Sequence, residues 1–218
     1  MGIKERRERQ KETLRQEILD AAREILVHES YEQFSMRRIA KRIEYTPATI
    51  YLYFKDKNDL LFHLCEEVYG KVVEILRTVN HKEKDPVKRL SAAMLAYIEF
   101  GLSDPARYRI AFMTNVTPTV DPTYFRAPGS MAATAYDIFH QNVKEAMQQL
   151  SDRARDVESV TQVLWASAHG VISIIISHPE FLWVEQKKMK KTVVDLLMRG
   201  LTGKANKNGP KISQRKVK

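Results

Sequence analysis

The chain has 218 residues, of which 44% are apolar, and its 36 Lys and Arg against 27 Asp and Glu give a formal net charge of +9. This apolar content is enough for a sizeable core in one large domain or two small ones, which excludes a wholly disordered or fibrous chain. The positive excess favours an anionic partner, such as nucleic acid or a membrane surface, without choosing between them. The single cysteine, Cys65, excludes an intramolecular disulfide and a cysteine-rich metal site.

The excess charge is concentrated locally. Residues 200–218 hold six basic and no acidic side chains, and we expect 203–218 to be a basic, disordered tail, a pattern that only sometimes marks a nucleic-acid arm. Residues 35–57 hold six basic and two acidic side chains, a net charge of +4. Residues 1–11 form a basic N-terminal arm, expected to fray but able to reach a minor groove. No apolar segment follows this arm, so no secretory signal is predicted and we expect a cytoplasmic protein.

Helical periodicity and helix caps dominate the chain, and no alternating strand pattern is visible. Three prolines predict a loop over 115–128. The most apolar run, 163–176, is too short to span a membrane and indicates a buried core helix. We therefore predict an all-α fold of about nine helices, over about 12–28, from Ser35 to about 43, from Pro47 to about Tyr53, from Lys57 to about 78, from Pro86 to about 102, from Pro105 to about 113, and over about 129–150, 157–177 and 180–200.

The segment 35–57 predicts a helix-turn-helix. Thr46 and Pro47 form a strong helix start, and the small residues that follow let this end of the helix enter a DNA major groove. Tyr51 and Tyr53, two residues apart on the same predicted helix, can reach phosphates on either side of the groove. The ammonium of Lys57 and the amides of the helix that it begins could together hold one phosphate. The predicted DNA-binding residues are Ser35, Arg37, Arg38, Thr46, Pro47, Ala48, Thr49, Tyr51, Tyr53, Lys55 and Lys57.

Residues 14–64 closely resemble the DNA-binding domain of the TetR family of bacterial transcriptional regulators. The resemblance rests on Ile18-Leu19-x-Ala21-Ala22, on Ser35-x-x-x-Ile39-Ala40, and on Thr49-Ile50-Tyr51-x-Tyr53-Phe54-Lys55-x-Lys57-x-x-Leu60. It implies a homodimer that reads a palindromic operator, usually as a repressor released by a ligand. It also implies that the N-cap and phosphate contacts fall on Ser35, Arg37, Tyr51, Tyr53 and Lys57. The base-reading positions that it implies are Pro47, Ala48 and Thr49. Glu44 stands where the family usually has glycine, so a backbone with positive φ would be strained there.

The larger half of the chain predicts an effector pocket and resembles the Trp-His-Gly type of ligand-binding domain in that family, through Trp165, His169 and Gly170. A glycine in mid-helix suggests close backbone approach or space for a ligand. Each candidate could equally be ordinary core, and a hydrogen-bonded core histidine is the alternative for His169. The predicted pocket residues are Met94, Tyr97, Ile98, Gly101, Tyr108, Phe112, Met113, Met131, Phe139, Trp165 and His169.

Two apolar stripes predict a dimer interface, in which paired helices form a four-helix bundle across a two-fold axis. Packing within one chain is the alternative. No histidine pair has metal-ligand spacing, so no metal is expected. The predicted interface residues are Val160, Leu164, Ala168, Val171 and Ile175 on one helix, and Met189, Val193, Leu196, Leu197 and Leu201 on the other.

The sequence thus predicts a ligand-responsive transcriptional regulator with a DNA-binding domain over 12–56 and an effector-binding and dimerisation domain over 57–202. Its expected partners are double-stranded DNA, a small apolar or aromatic effector and a second copy of the chain, without a membrane or cofactor. A regulator that lacks an effector or acts as an activator is the alternative. No nucleophile–base group, glycine-rich phosphate loop or paired-carboxylate motif indicates an enzyme.

Overall fold

The computed structural model describes residues 2–29, 33–113, 127–151 and 155–203. Over these residues the chain forms nine α-helices and one π-helical turn, without strands, as the all-α prediction requires. The predicted tail 203–218 and the predicted loop 115–128 lie largely outside the described residues. The helices are α1 (Ile3–His28), α2 (Met36–Arg42), α3 (Pro47–Tyr51), α4 (Lys57–Lys82), α5 (Pro86–Ser103), α6 (Pro105–Tyr108), α7 (Met131–Gln149), α8 (Val157–Ser177) and α9 (Gln186–Thr202), and the π-helical turn covers Arg109–Met113.

Side-chain caps explain most of the helix starts. Thr46, Asp85 and Asp104 each accept a hydrogen bond from the backbone amide three residues on, and each is followed by proline at the first helical position. Proline is favoured there because its missing N–H would have no helical partner in any case. Ser130 and Asp156 cap α7 and α8 in the same way. These helix starts were therefore predictable from local sequence.

Three predicted boundaries were wrong. The last helix begins at Gln186 and not at about 180. The basic segment expected to fray is helical from Ile3, with Gly2 as its N-cap and the Glu5 carboxylate accepting from the Gly2 amide at 3.0 Å. The segment predicted as one helical piece from Pro105 to Met113 is a single α-turn that passes into a π-helical turn at Arg109. π-Helical turns are rare and are found frequently at functional sites.

Helices α1 to α3 and the start of α4 enclose a small hydrophobic core. Ile18, Ile39, Ile50 and Leu60 are fully buried in it. Its one buried member from the distant part of the chain is Ile110, in the π-helical turn. The N-terminal domain and the turn therefore share a core.

The remaining helices form a larger layered bundle. In its main cluster α5, α7, α8 and α9 pack around buried residues that include Leu90, Tyr108 and Ile172. In a second cluster α4 packs on α7 and on the π-helical turn. Asn80 and Asn142 exchange hydrogen bonds of 3.0 and 2.9 Å across the α4–α7 contact, which fixes the relative register of the two helices.

Helix α8 is the only helix, among the described residues, that is long and apolar enough to cross a membrane by length and composition alone. It packs Leu164, Ala168 and Ile172 into the main cluster. A core helix of a globular protein passes the same test, so the signal is weak.

Candidate DNA-binding surface and effector cavity

The recognition helix α3 presents its N-terminal turn to solvent. The Thr46 hydroxyl accepts from the Thr49 amide at 3.3 Å and lies 3.1 Å from the Thr49 hydroxyl. Pro47 and Ala48 are exposed, while Ile50 is fully buried beneath them. The helix is therefore anchored on one face, and its small side chains remain open on the other, as close approach to base edges requires.

The basic residues around this helix divide into paired and unpaired groups. The Arg38 guanidinium lies 2.6 Å from Glu29 and also donates to Gln33, while Arg42 pairs with Glu24 at 2.7 Å. Arg37 and Lys41 are exposed and make no ion pair within the described residues. Arg37 is therefore better placed than Arg38 to receive a phosphate.

The two tyrosines have different environments. Tyr51 is 55% exposed, whereas Tyr53 follows the end of α3 and packs partly against the small core. Lys57 lies with its ammonium 5.5 Å from the centroid of the Phe34 ring. The amides of Asn58 and Asp59 donate to the Asp56 carboxylate at 2.8 and 2.9 Å. These two amides are therefore not available to a phosphate beside Lys57, contrary to the expectation from sequence.

The turn between α2 and α3 contains a strained residue. Glu44 has φ of 59°, a left-handed conformation that costs a residue with a Cβ roughly 1–2 kcal/mol. Glu44 stands where the family that the sequence resembles usually has glycine.

A cavity of about 1060 Å³ opens between α4, α5, α7 and α8. Its interior is mostly apolar, which is typical of a small-molecule site. Six of the predicted pocket residues line it: Met94, Tyr97, Phe112, Phe139, Trp165 and His169.

The other five predicted pocket residues lie outside the lining. Ile98 and Tyr108 are fully buried, and Met113 packs against the main cluster. A Cβ added at Gly101 would lie 2.7 Å from Ile172, so close helix packing explains this glycine. Met131 is 39% exposed at the start of α7. Gly170 is exposed, and a Cβ there would meet nothing within 4 Å. Close packing within the described part of the chain therefore does not explain this glycine.

Helix α4 also contributes to this cavity, which was not predicted from the sequence. Tyr69, Val72 and Leu76 line it from one face of that helix. Their spacing of three and four residues is helical and could have been recognised. Asp137 and Glu158 are also in the lining, and none of the described lining residues is Lys or Arg.

A row of hydrogen-bonded polar groups runs from the cavity wall into the core. The Trp165 indole N–H donates to the Tyr97 hydroxyl at 3.3 Å, and the Tyr97 and Tyr108 hydroxyls are 3.0 Å apart. Tyr108 lies 2.6 Å from Nδ1 of His169, whose Nε2 lies 3.0 Å from the Ser173 hydroxyl. Burial raises the pKa of Tyr97 to about 12 and lowers the pKa of His169. Near neutral pH this row therefore consists of uncharged groups.

The apolar stripe predicted as a dimer seam on α8 is turned inward, which corrects that expectation. Leu164 and Ala168 are 3% and 2% exposed in the chain's own core, and Ile175 is also buried. Val160 packs partly on the same cluster, and Val171 is partly buried. On α9, Leu201 is buried in that cluster, and Met189, Val193 and Leu197 are partly buried. The large apolar residues exposed on these helices are Val163, Trp165 and Ile174 on α8 and, among the predicted interface residues, Leu196 on α9.

The two halves of the molecule meet where α1 contacts α4. Arg23 of α1 forms ion pairs with Asp20 and with Glu67 of α4. A smaller cavity of about 440 Å³ lies beside this pair and is lined by charged side chains that include Lys71, Glu74 and Arg107. Arg23 and Glu67 thus join α1 to α4 at the boundary between the two halves.

Comparisons with known families match both halves of the chain. Residues 18–64 match the model described as "Bacterial regulatory proteins, tetR family". Residues 90–199, half of the chain, match the model described as "Tetracyclin repressor-like, C-terminal domain". The helix-turn-helix joined to a helical domain with a cavity defines a regulator of transcription that binds DNA. The chain belongs to the TetR family of bacterial regulatory proteins.

Among individual proteins, the "Fatty acid metabolism regulator protein" of Bacillus subtilis (strain 168) is 35% identical over 88 residues, which are 40% of this chain. The match spans 45% of that relative's length. The solved structure of FadR from Bacillus subtilis in complex with stearoyl-CoA is similar, with a TM-score of 0.71, 19% identity, and coverage of 85% of this chain and 98% of that one. A protein of unknown function from Rhodococcus sp. RHA1 gives a TM-score of 0.72 at 20% identity, covering 87% and 96%. At these identities the solved structures establish the fold.

Proposed function

We propose that the protein is a homodimeric repressor that binds a palindromic operator and releases it when a small apolar effector fills the cavity between α4, α5, α7 and α8. The observation that carries the proposal is the pairing of an exposed, basic helix-turn-helix with this cavity in one fold. A closed, well-packed larger domain would have favoured a regulator without an effector. The proposal assigns the protein to the cytoplasm, without catalytic activity, metal or cofactor.

The DNA contacts are supported by exposure and charge. Tyr51 and Arg37, which makes no ion pair within the described residues, are both exposed, so they can bind phosphates of the DNA backbone. Ala48 and Thr49 occupy the N-terminal turn and would contact base edges. Arg38 remains a candidate that would first have to leave Glu29.

The DNA contacts can be tested with matched arginine variants. An operator is first selected from random duplexes, and its affinity is then measured over a range of salt concentrations. Arg37→Ala should weaken binding and lower the salt slope by about one. Arg77→Ala removes an exposed arginine on α4, away from the helix-turn-helix, and should leave both quantities unchanged. Equal effects of the two variants would contradict the assignment.

The effector class is supported by the cavity lining and by the relatives. The interior is apolar and aromatic, and two of the similar proteins bear names that refer to fatty acid metabolism or to a complex with stearoyl-CoA. We therefore favour an effector with a long apolar chain. Fluorescence anisotropy of a labelled operator tests this effector class, because such a compound should release the operator from the protein. If no compound of this class releases the operator, the result would support the alternative of a regulator without an effector.

The dimer is supported by the outward apolar residues of the last two helices. Ile174 and Leu196 are 44% and 63% exposed, and burial against a second copy would remove this surface from water. Ile174→Glu should shift the protein towards monomer in analytical ultracentrifugation. Ile3→Glu places the same charge at an exposed isoleucine of α1 and should leave the dimer intact. A dimer that persists in Ile174→Glu would contradict this interface.

The π-helical turn is the element best situated to couple the two sites. Ile110 belongs to the core of the DNA-binding domain, while Phe112, two residues on, lines the cavity. An effector that displaces Phe112 would move Ile110 and, through the shared core, α1 and α4. Such a shift changes the separation of two recognition helices in a dimer and hence their fit to successive major grooves.

A further inference from the structure

The row from Trp165 to Ser173 contains more hydrogen-bonding capacity than its own members use. Trp165 can only donate, through its indole N–H, whereas each hydroxyl can donate once and accept twice. A neutral imidazole donates through one nitrogen and accepts at the other. The orientation of the whole row therefore depends on which nitrogen of His169 carries the proton.

Two orientations satisfy the distances. In the first, Tyr97 donates to Tyr108, Tyr108 donates to Nδ1 of His169, and Nε2–H donates to Ser173. In the second, Ser173 donates to Nε2, Nδ1–H donates to Tyr108, and Tyr108 donates to Tyr97. In this second orientation Tyr97 accepts from both Trp165 and Tyr108, and its own O–H is left to point into the cavity that Tyr97 lines.

The second orientation has a donor at the cavity wall and no acceptor in the row to receive it. The indole N–H of Trp165 already donates to the Tyr97 oxygen at 3.3 Å and holds that hydroxyl at the wall. A single hydroxyl donor on an otherwise apolar wall fits a hydrogen-bond acceptor on the ligand, such as a carbonyl oxygen, and binding of that acceptor would select the second orientation.

The charges of the lining decide between a neutral carbonyl and a carboxylate. Asp137 and Glu158 are the acidic members of the lining, and the described lining residues include no Lys or Arg. Glu158 already accepts from Tyr136 and Gln162, each at 2.8 Å. A carboxylate would lose water and face like charge, and no cationic side chain among the described lining residues would offset either cost.

We propose that the Tyr97 hydroxyl, held in place by Trp165, donates to the carbonyl oxygen of an uncharged acyl or keto group at the end of an apolar effector chain. The proposal rests on the proposed function, because it names the ligand class of the same cavity. It makes Tyr97 a specificity-determining residue, and it makes Tyr108, His169 and Ser173 positioning residues that set the direction of the Tyr97 hydroxyl.

The test compares three probes of equal chain length by isothermal titration calorimetry on the full chain. The probes are a medium-chain methyl ketone, its isostere in which a methylene group replaces the carbonyl oxygen, and the fatty acid anion. The ketone should bind the unmodified protein about three- to tenfold more tightly than the isostere, the ratio that one net hydrogen bond supplies. The anion should bind more weakly than the ketone.

Variants then assign the effect to a residue. In Tyr97→Phe the ketone-to-isostere ratio should fall towards one. In the matched control Tyr136→Phe, which removes another cavity hydroxyl that binds Glu158, the ratio should be unchanged. The indole N–H resonance of Trp165, assigned by its loss in Trp165→Phe, should shift with ketone and not with the isostere. Thermal unfolding of each variant shows whether it is folded, and the ratio of two affinities on one variant is independent of its stability.

Three results would overturn the inference: equal affinity of the unmodified protein for ketone and isostere, a ratio that survives Tyr97→Phe, or tighter binding of the anion. Operator release is measured separately with the same probes. A ketone that binds with the expected ratio but leaves the operator bound would contradict the proposed function and leave the inference standing. Absence of saturable binding by all three probes would contradict both.

Discussion

The close contact between α5 and α8 at Gly101 allows a quantitative prediction. A Cβ at this position would lie 2.7 and 2.8 Å from two carbons of Ile172 and 3.0 Å from the Tyr108 ring, well inside the 3.5–4.0 Å at which carbon atoms attract. Gly101→Ala must therefore displace both side chains, and such overpacking costs about 1–3 kcal/mol. The higher helix propensity of alanine offsets up to about 1 kcal/mol of this loss in the free energy of unfolding.

Gly200 is a matched control, because both glycines lie two residues before the end of their helix. A Cβ at Gly200 would meet nothing within 4 Å. Gly200→Ala therefore gains the same helix propensity without a steric clash. The free energy of unfolding in urea should therefore be lower for Gly101→Ala than for Gly200→Ala by about 1–3 kcal/mol. Sedimentation of both variants verifies that they are compared in one oligomeric state. Equal stabilities would refute the packing argument.

Three further predictions concern stability and reactivity. In urea denaturation, Glu44→Gly should raise the free energy of unfolding by about 0.5–1 kcal/mol, because relief of the left-handed strain exceeds the cost of the more flexible unfolded chain. Glu44→Val should lower the free energy of unfolding in the same assay. The melting temperature should be nearly constant at about pH 7–8 and fall as the pH drops below 6.5, because burial lowers the pKa of His169 in the folded state and the unfolded chain therefore binds the proton first. His63 shifts in the same direction, so His169→Gln should remove only part of this slope. Cys65, whose pKa burial raises to about 12, should react with iodoacetamide at pH 8 only after denaturation; rapid native labelling would contradict its burial.

The DNA-binding half was the more predictable part because its signals are local. In this half, a capping side chain followed by proline fixes the start of α3. The same local signal fixes the starts of α5 and α6 in the larger half. The pairing of Arg38 with Glu29 was not predictable, since it depends on how α1 crosses α2.

The larger half was less predictable because most of its apolar residues are compatible with several packings. Helix α8 is apolar on more than one face, so the periodicity that indicated Leu164 and Ala168 for a dimer seam could not distinguish them from Val163 and Ile174. The cavity could be only half predicted for a similar reason, because the face of α4 that lines it is set by tertiary packing. The polar row required knowledge of contacts between residues up to 68 positions apart.

The central claim is that the cavity and the recognition helices are coupled. It is tested most directly by measuring the dissociation constant of the selected operator with and without saturating methyl ketone, and that of the ketone with and without saturating operator. If the two sites are coupled, the ketone weakens operator binding, and the operator weakens ketone binding by the same factor. An operator affinity that is unchanged while the ketone fills the cavity would contradict it.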